Sequence, residues 1–234
     1  MDMCARKDIV EIAKNVVVKD DCLSFIASFS ETRNAQIIAI ICAYFSNGYS
    51  NPIDFVKKIN EEKFNGNPLY YIGEYDYWDI QNFCLYENIS ELNFSRLLVI
   101  IKNEILCHYD IFNAHHAYMS STKLKCKYAH EGFARMFGHN THFPNIDNRG
   151  TFYRYNLIFY WLVYKLNIWK DIDTSTILLP CNDIVFSNAK KLGVTKTRLK
   201  ATLSGTIKMT RIAREIFGDD EFWKLYELLN YSEL

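Results

Sequence analysis

Ala35-Gln36-Ile37-Ile38-Ala39-Ile40-Ile41-Cys42-Ala43-Tyr44-Phe45 is the stretch on which the fold class turns. Nine consecutive residues, Ile37 to Phe45, are apolar. Such a run, rich in Ile, suits a buried strand as well as a buried helix. Length and boundaries separate the two. With Thr32 and Asn34 before it and Gly48 behind it, the apolar segment runs over Thr32–Gly48, too long for an ordinary strand and bounded as helices are. It is also well short of the roughly 20 apolar residues a membrane span needs. The reading is a buried helix of a protein without membrane segments.

Outward from this segment the periodicity stays helical. Asp8–Val18 places Ile9, Ile12, Ala13 and Val16 at three- and four-residue spacing, and Asp20–Phe29 does the same with Cys22, Phe25, Ile26 and Phe29. Pro52–Glu62 has Pro in its first turn, where a missing N–H costs nothing. Asn65–Asp79, rich in Gly, Pro and Tyr, reads as a loop, followed by helices near Tyr77–Glu87 and Ser90–His108. His108–Asn148 is the least regular part, with a short helical piece at His130–Phe137 and a turn-rich segment at Gly138–Gly150. Apolar helices are expected over Thr151–Leu166 and Asp183–Leu192. The closing segments are Lys196–Gly205, Thr206–Phe217 and Asp219–Asn230. No hairpin-forming strand pair, solenoid repeat or Pro/Gly linker is found. The expectation is an all-α chain forming one domain over residues 1–234.

The 234 residues are 49% hydrophobic and 15% aromatic, which excludes intrinsic disorder. Seven scattered cysteines with no CxxC pair exclude a disulfide scaffold and a zinc ribbon. The N-terminus is charged and amphipathic, without a secretory apolar region, so a cytoplasmic location is expected. Lys+Arg and Asp+Glu both number 27, so no global basic field advertises nucleic acid. The charge is uneven, however. Ile184–Arg214 contains no acid and eight cations, Lys190, Lys191, Lys196, Arg198, Lys200, Lys208, Arg211 and Arg214. Glu61–Glu91 carries seven acids and one lysine. One basic face follows from this asymmetry.

Phosphate-loop, dinucleotide, zinc-protease and serine-hydrolase fingerprints are all absent, and no cofactor is expected. All six histidines fall between His108 and His142. His139 and His142 have a chelating i, i+3 spacing, but neither Cys nor Glu completes a ligand set, so no metal site is assigned. The aromatic stretch Phe152-Tyr153-Arg154-Tyr155-Asn156-Leu157-Ile158-Phe159-Tyr160-Trp161 puts Leu157, Trp161 and Tyr164 on a core stripe. The polar residues around its start, Arg149, Tyr153, Arg154 and Asn156, remain as candidates for chemistry or binding.

Gly150–Val194 carries a resemblance. Its ordered elements are Gly150 through Val163, then Asn167-Ile168-Trp169-Lys170-Asp171-Ile172, then Leu178-Leu179-Pro180-Cys181-Asn182-Asp183-Ile184-Val185, then Ala189-Lys190-Lys191-Leu192-Gly193-Val194. Together with Ala35–Gly48, this order resembles an uncharacterised bacterial family of unknown function. That family is similar to a divergent branch of the helix-hairpin-helix, endonuclease III-like DNA glycosylases. The resemblance implies a two-lobed helical fold, a degenerate hairpin near residues 140–166 and a site helix near residues 180–194. It also implies double-stranded DNA as partner, with a base flipped into a cleft.

In that superfamily a lysine attacks the sugar carbon and an aspartate stabilises the developing positive charge. Matched by motif, the lysine position is Tyr153, in Tyr153-Arg154-Tyr155-Asn156, and the aspartate position is Asn182. A phenol forms no Schiff base, and an amide carries no balancing charge. Arginines expected in the aromatic helix are Tyr160 and Tyr164, and Asn145–Gly150 lacks the hairpin's glycine pair. Three readings follow. The first is a DNA-binding protein without the usual lyase chemistry, using Arg149, Arg154, Asn156, Lys190, Lys191, Lys196 and Arg198. The second is a monofunctional glycosylase with Asp183 activating water beside Asn182 and Tyr153. The third is a protein-interaction module.

Overall fold

The computed structural model describes residues 3–46, 52–74, 78, 91–121, 126–138, 143–144, 147 and 150–232. Among these the chain is helical throughout, with no strand. The helices are α1 (Met3–Lys14), α2 (Asp21–Ala27), α3 (Thr32–Phe45), α4 (Pro52–Glu62), α5 (Pro68–Glu74), α6 (Glu91–His108), α7 (Ile111–Ser120), α8 (Ala129–Phe137), α9 (Tyr153–Phe159), α10 (Asp183–Lys191), α11 (Leu203–Phe217) and α12 (Lys224–Tyr231).

The decisive stretch is α3, buried at every position from Asn34 to Phe45. It is apolar all round because it is enclosed all round. Helices α2, α4, α5, α7 and α9 pack against it. Its two buried polar residues work as caps for neighbours. Asn34 Oδ1 accepts from Leu69 N at 2.8 Å. Gln36 Oε1 accepts from Ile111 N and Phe112 N, at 3.1 and 3.2 Å. Each bond satisfies first-turn N–H groups that a helix leaves without an internal partner. The second group of contacts joins α1, α10, α11 and α12, with α12 touching the other three.

Helix α9 starts under strain and ends unwound. Phe152, just ahead of it, has φ 53°, a left-handed conformation that bulky residues rarely adopt. It is held there by stacking of its ring on His130, with centroids 4.3 Å apart. Asn156 Nδ2 also donates to Thr151 O at 3.3 Å. After Phe159 the helix widens into a π-type turn, Tyr160–Lys165, closed by Leu166 N donating to Trp161 O at 2.9 Å. π-type turns re-aim side chains within a helix.

Three expectations need correction. Pro68–Glu74 is a helix, not part of a loop, and its turn is opened by Asn67, whose Oδ1 accepts from Tyr70 N at 3.2 Å. The irregular region contains a full helix, Ile111–Ser120, capped by Asp110. The segment Lys196–Gly205 is not one unit: residues 196–202 are non-helical, and α11 begins at Leu203 under a Thr202 cap, so Gly205 lies inside it. The helix expected near Tyr77–Glu87 lies outside the described residues apart from Trp78.

Candidate functional site

Asn182 caps α10, its Oδ1 accepting from Val185 N at 2.9 Å. That places Asn182, Asp183 and Ile184 at the mouth of the helix, after the buried run Ile177–Cys181. Tyr153, the first residue of α9, meets them from the other side. Together with Ser46, Gly150, Thr151 and Ala201 these residues line a pocket of about 510 Å³. The two motif positions, 29 residues apart in sequence, therefore share one wall.

The wall formed by Tyr153 and Asn182 is uncharged. Burial pushes the Tyr153 phenol up to about 12, with hydrogen bonds to Tyr226 and Asn182 opposing the shift. A phenol so placed keeps its proton at neutral pH. Asp183 sits on the rim with its side chain 78% exposed, and Arg198 Nη2 donates to its Oδ1 at 3.1 Å. Ile184, beside it, is also exposed.

The remaining predicted residues are spread around this pocket. Arg198 reaches the rim through Asp183, and Lys196 is exposed on the same loop. Lys190 and Lys191 are exposed in the last turn of α10, where cations favour the helix dipole. At about 1.5 Å per residue that end is roughly 12 Å from the cap. Arg154 is half-buried, and burial lowers its pKa against the opposing effect of Tyr44, Tyr155 and Tyr153. Asn156 is fully buried and faces inward to Thr151 O. Arg149 and the centre of the segment in which a hairpin is expected lie outside the described residues. Arg214, one of the eight cations, donates to the carbonyls of Thr174, Ser175 and Ile177 and covers Phe222. It braces the turn before the run Ile177–Cys181 and is not part of an open basic face.

Outside the pocket lining is a polar group that sequence reasoning missed. Asp20 Oδ2 accepts from Trp161 Nε1 at 2.7 Å and from Tyr231 Oη at 2.9 Å. Burial raises the pKa of Tyr226 and of Tyr231, and Asp20 adds to both shifts. These partners lie 141 and 211 residues from Asp20, and in sequence Asp20 only opens the helical segment Asp20–Phe29. A second pocket, about 430 Å³, lies where Ile12, Val16 and Val17 face Tyr231, and holds none of the motif residues.

Among the described residues no three His, Cys, Asp or Glu side chains gather as a metal site, and His139 and His142 lie outside them. No helix among them is long and apolar enough to cross a membrane.

Over residues 21–224 the chain matches a family described as a protein of unknown function, DUF2400, and it belongs to that family. It matches no curated protein and no solved structure.

Proposed function

We propose that this member of the DUF2400 family binds double-stranded DNA on a glycosylase-like helical scaffold and receives an extruded nucleotide in the Tyr153–Asn182 pocket, without lyase chemistry. The supporting observation is the convergence of Tyr153, Asn182 and Asp183 on one pocket. Tyr153 and Asn182 stand at the positions where the resemblance expects a nucleophile and a counter-charge, and Asp183 is one residue beyond. Here the wall carries a protonated phenol and an amide. It can stack and hydrogen-bond, but it cannot form an imine or balance a cation. Lys196, Arg198 and Lys200, on the loop leading to Ala201, supply positive charge at the rim for phosphates.

The second reading keeps catalysis and rests on Asp183, which lines the same pocket. Its ion pair with Arg198 and its exposure count against it as a water-activating base, which needs a sheltered position near the reacting carbon.

The test is anisotropy of a fluorescent duplex carrying an abasic-site analogue, against an undamaged duplex, across a salt series. The expected result is preference for the lesion, with log K falling against log salt at about 0.9 per phosphate contact. No binding at low salt would overturn the proposal. Release of a base by wild type, lost in Asp183→Asn, would establish the second reading.

A further inference from the structure

Phe152 is a hinge that the pocket straddles. Gly150 and Thr151 line the pocket on one side of it and Tyr153 on the other. Rotation about the Phe152 backbone swings the first two relative to the third, because φ and ψ are the soft dihedrals of the chain. The shape of this wall is therefore set at one residue, and that residue has φ 53° and ψ 30°. A bulky side chain keeps such a conformation only where its surroundings over-determine it.

Two kinds of contact do so. Asn156 holds the carbonyls: its backbone N donates to Phe152 O at 3.1 Å, and its Nδ2 donates to Thr151 O at 3.3 Å. Rings hold the side chain. Phe152 and His130 are both buried, with centroids 4.3 Å apart and planes 26° from parallel. Tyr128 lies 5.7 Å from His130 at 9°. Tyr155 stands 6.4 Å from Phe152 at 19°, and its Oη donates to Pro144 O at 3.0 Å. The His130 contact is the closest of these, and it ties the hinge to another helix, α8. Nδ1 of His130 is buried without a hydrogen-bond partner among the described residues. What His130 supplies here is the face of its ring.

We propose that His130 is a positioning residue of the pocket: its ring, stacked on Phe152, holds the left-handed turn that sets Thr151 and Tyr153 on one wall. This rests on the nucleotide reading of the pocket given above. A ring stack and a left-handed non-glycine residue are similar in size and opposite in sign. Without the stack, part of the population relaxes towards negative φ and the wall parts at Phe152. Binding then weakens in proportion to the fraction that keeps the wall.

Three variants separate this role from core packing. His130→Leu keeps an apolar side chain and removes the flat ring. His130→Phe keeps the ring. Phe152→Gly loses more buried surface than either, yet glycine takes positive φ about as readily as negative. The first readout needs no ligand: the ring ¹H–¹³C resonances of Tyr153 in tyrosine-labelled protein, identified by their loss in Tyr153→Phe. They are expected to move in His130→Leu and to stay near wild type in His130→Phe. The second readout is anisotropy of the duplex carrying the abasic-site analogue, at a temperature where each variant is folded. The expected losses are about fivefold for His130→Leu and about twofold or less for His130→Phe and Phe152→Gly. Unmoved Tyr153 resonances in folded His130→Leu would overturn the clamp, as would equal shifts in His130→Phe. Weaker binding by Phe152→Gly than by His130→Leu would show that affinity follows packing, and would also overturn it. Moved resonances with wild-type affinity in His130→Leu would overturn its part in binding. If wild type binds no duplex, the DNA reading falls, and the Tyr153 resonances still decide the clamp.

Discussion

Arg198 Nη2 donates to Asp183 Oδ1 at 3.1 Å across the rim of the pocket, with the two side chains 55% and 78% exposed. An exposed pair of this kind adds little to stability, about 0–1 kcal/mol. Its effect is on the field. Asp183 neutralises the one arginine that the loop brings to the pocket mouth. Asp183→Asn is therefore expected to leave the urea midpoint in place and to tighten duplex binding at low salt by about twofold to fivefold. Weaker binding by this variant would mean that Asp183 contacts the ligand directly.

Gly205 is the second point at which the loop is held. A Cβ added there would lie 2.1 Å from Lys200 O, a backbone atom that cannot rotate away. Gly205→Ala must push the loop bearing Lys196, Arg198 and Lys200 off α11. The expected cost is about 2–4 kcal/mol in urea unfolding, typical of a forced backbone shift. Lesion binding should weaken in the same variant even at temperatures where it remains folded. A Gly205→Ala protein with wild-type stability would show that the loop is free to move.

The sequence made the helices legible where periodicity and capping agree. Pro52–Glu62 was readable to the residue because Pro sits at its first position. The length of the Ile37–Phe45 run resolved helix from strand. Ile111–Ser120 was missed because His115, His116 and Asn113 mask its apolar face. His115 is in fact core, packed on Phe133, Phe159 and Trp169. Asn67-Pro68 was a helix-start signal inside a stretch read as loop. The motif order brought Tyr153 and Asn182 forward as partners. The bonds of Asp20 to Trp161 and Tyr231 were not legible, since no local pattern records contacts spanning 141 and 211 residues.

Lys165 and Glu227 predict a large effect away from the pocket. Glu227 Oε1 accepts from Lys165 Nζ at 2.8 Å and from Tyr160 Oη at 2.7 Å, and Glu227 is buried. Burial raises the Tyr160 pKa, and the Glu227 charge adds to it. Lys165→Met leaves the carboxylate without its cation in a poorly hydrated site and is expected to cost about 3 kcal/mol or more. The double variant Lys165→Met/Glu227→Gln should recover part of that loss, because no charge is then left unpaired. Additive losses in urea unfolding would show that the two residues act independently.

Two buried histidines set the response to acid. His115 Nε2 donates to Ala129 O at 2.8 Å, and His130 is stacked between Tyr128 and Phe152 with no partner for Nδ1 among the described residues. Burial lowers both from the ordinary 6.5 to about 4, a shift the Ala129 bond at His115 opposes. Above about pH 6.5 neither the folded nor the unfolded chain protonates them, and their contribution is complete. As pH falls from there towards 4, the unfolded chain binds protons that the folded one refuses, so stability declines. Below about 4 the folded chain protonates as well and the decline levels off. Each histidine can contribute on the order of 3 kcal/mol over that interval, a large fraction of a typical domain's stability. The urea midpoint should therefore fall between about pH 6.5 and pH 5, above the range in which ordinary carboxylates titrate. His130→Phe keeps an aromatic ring against Phe152 and removes the titration, so the dependence on pH should fall by about half. A midpoint that stays level from pH 7 to pH 5 in wild type would show that these rings are reached by water in the folded protein.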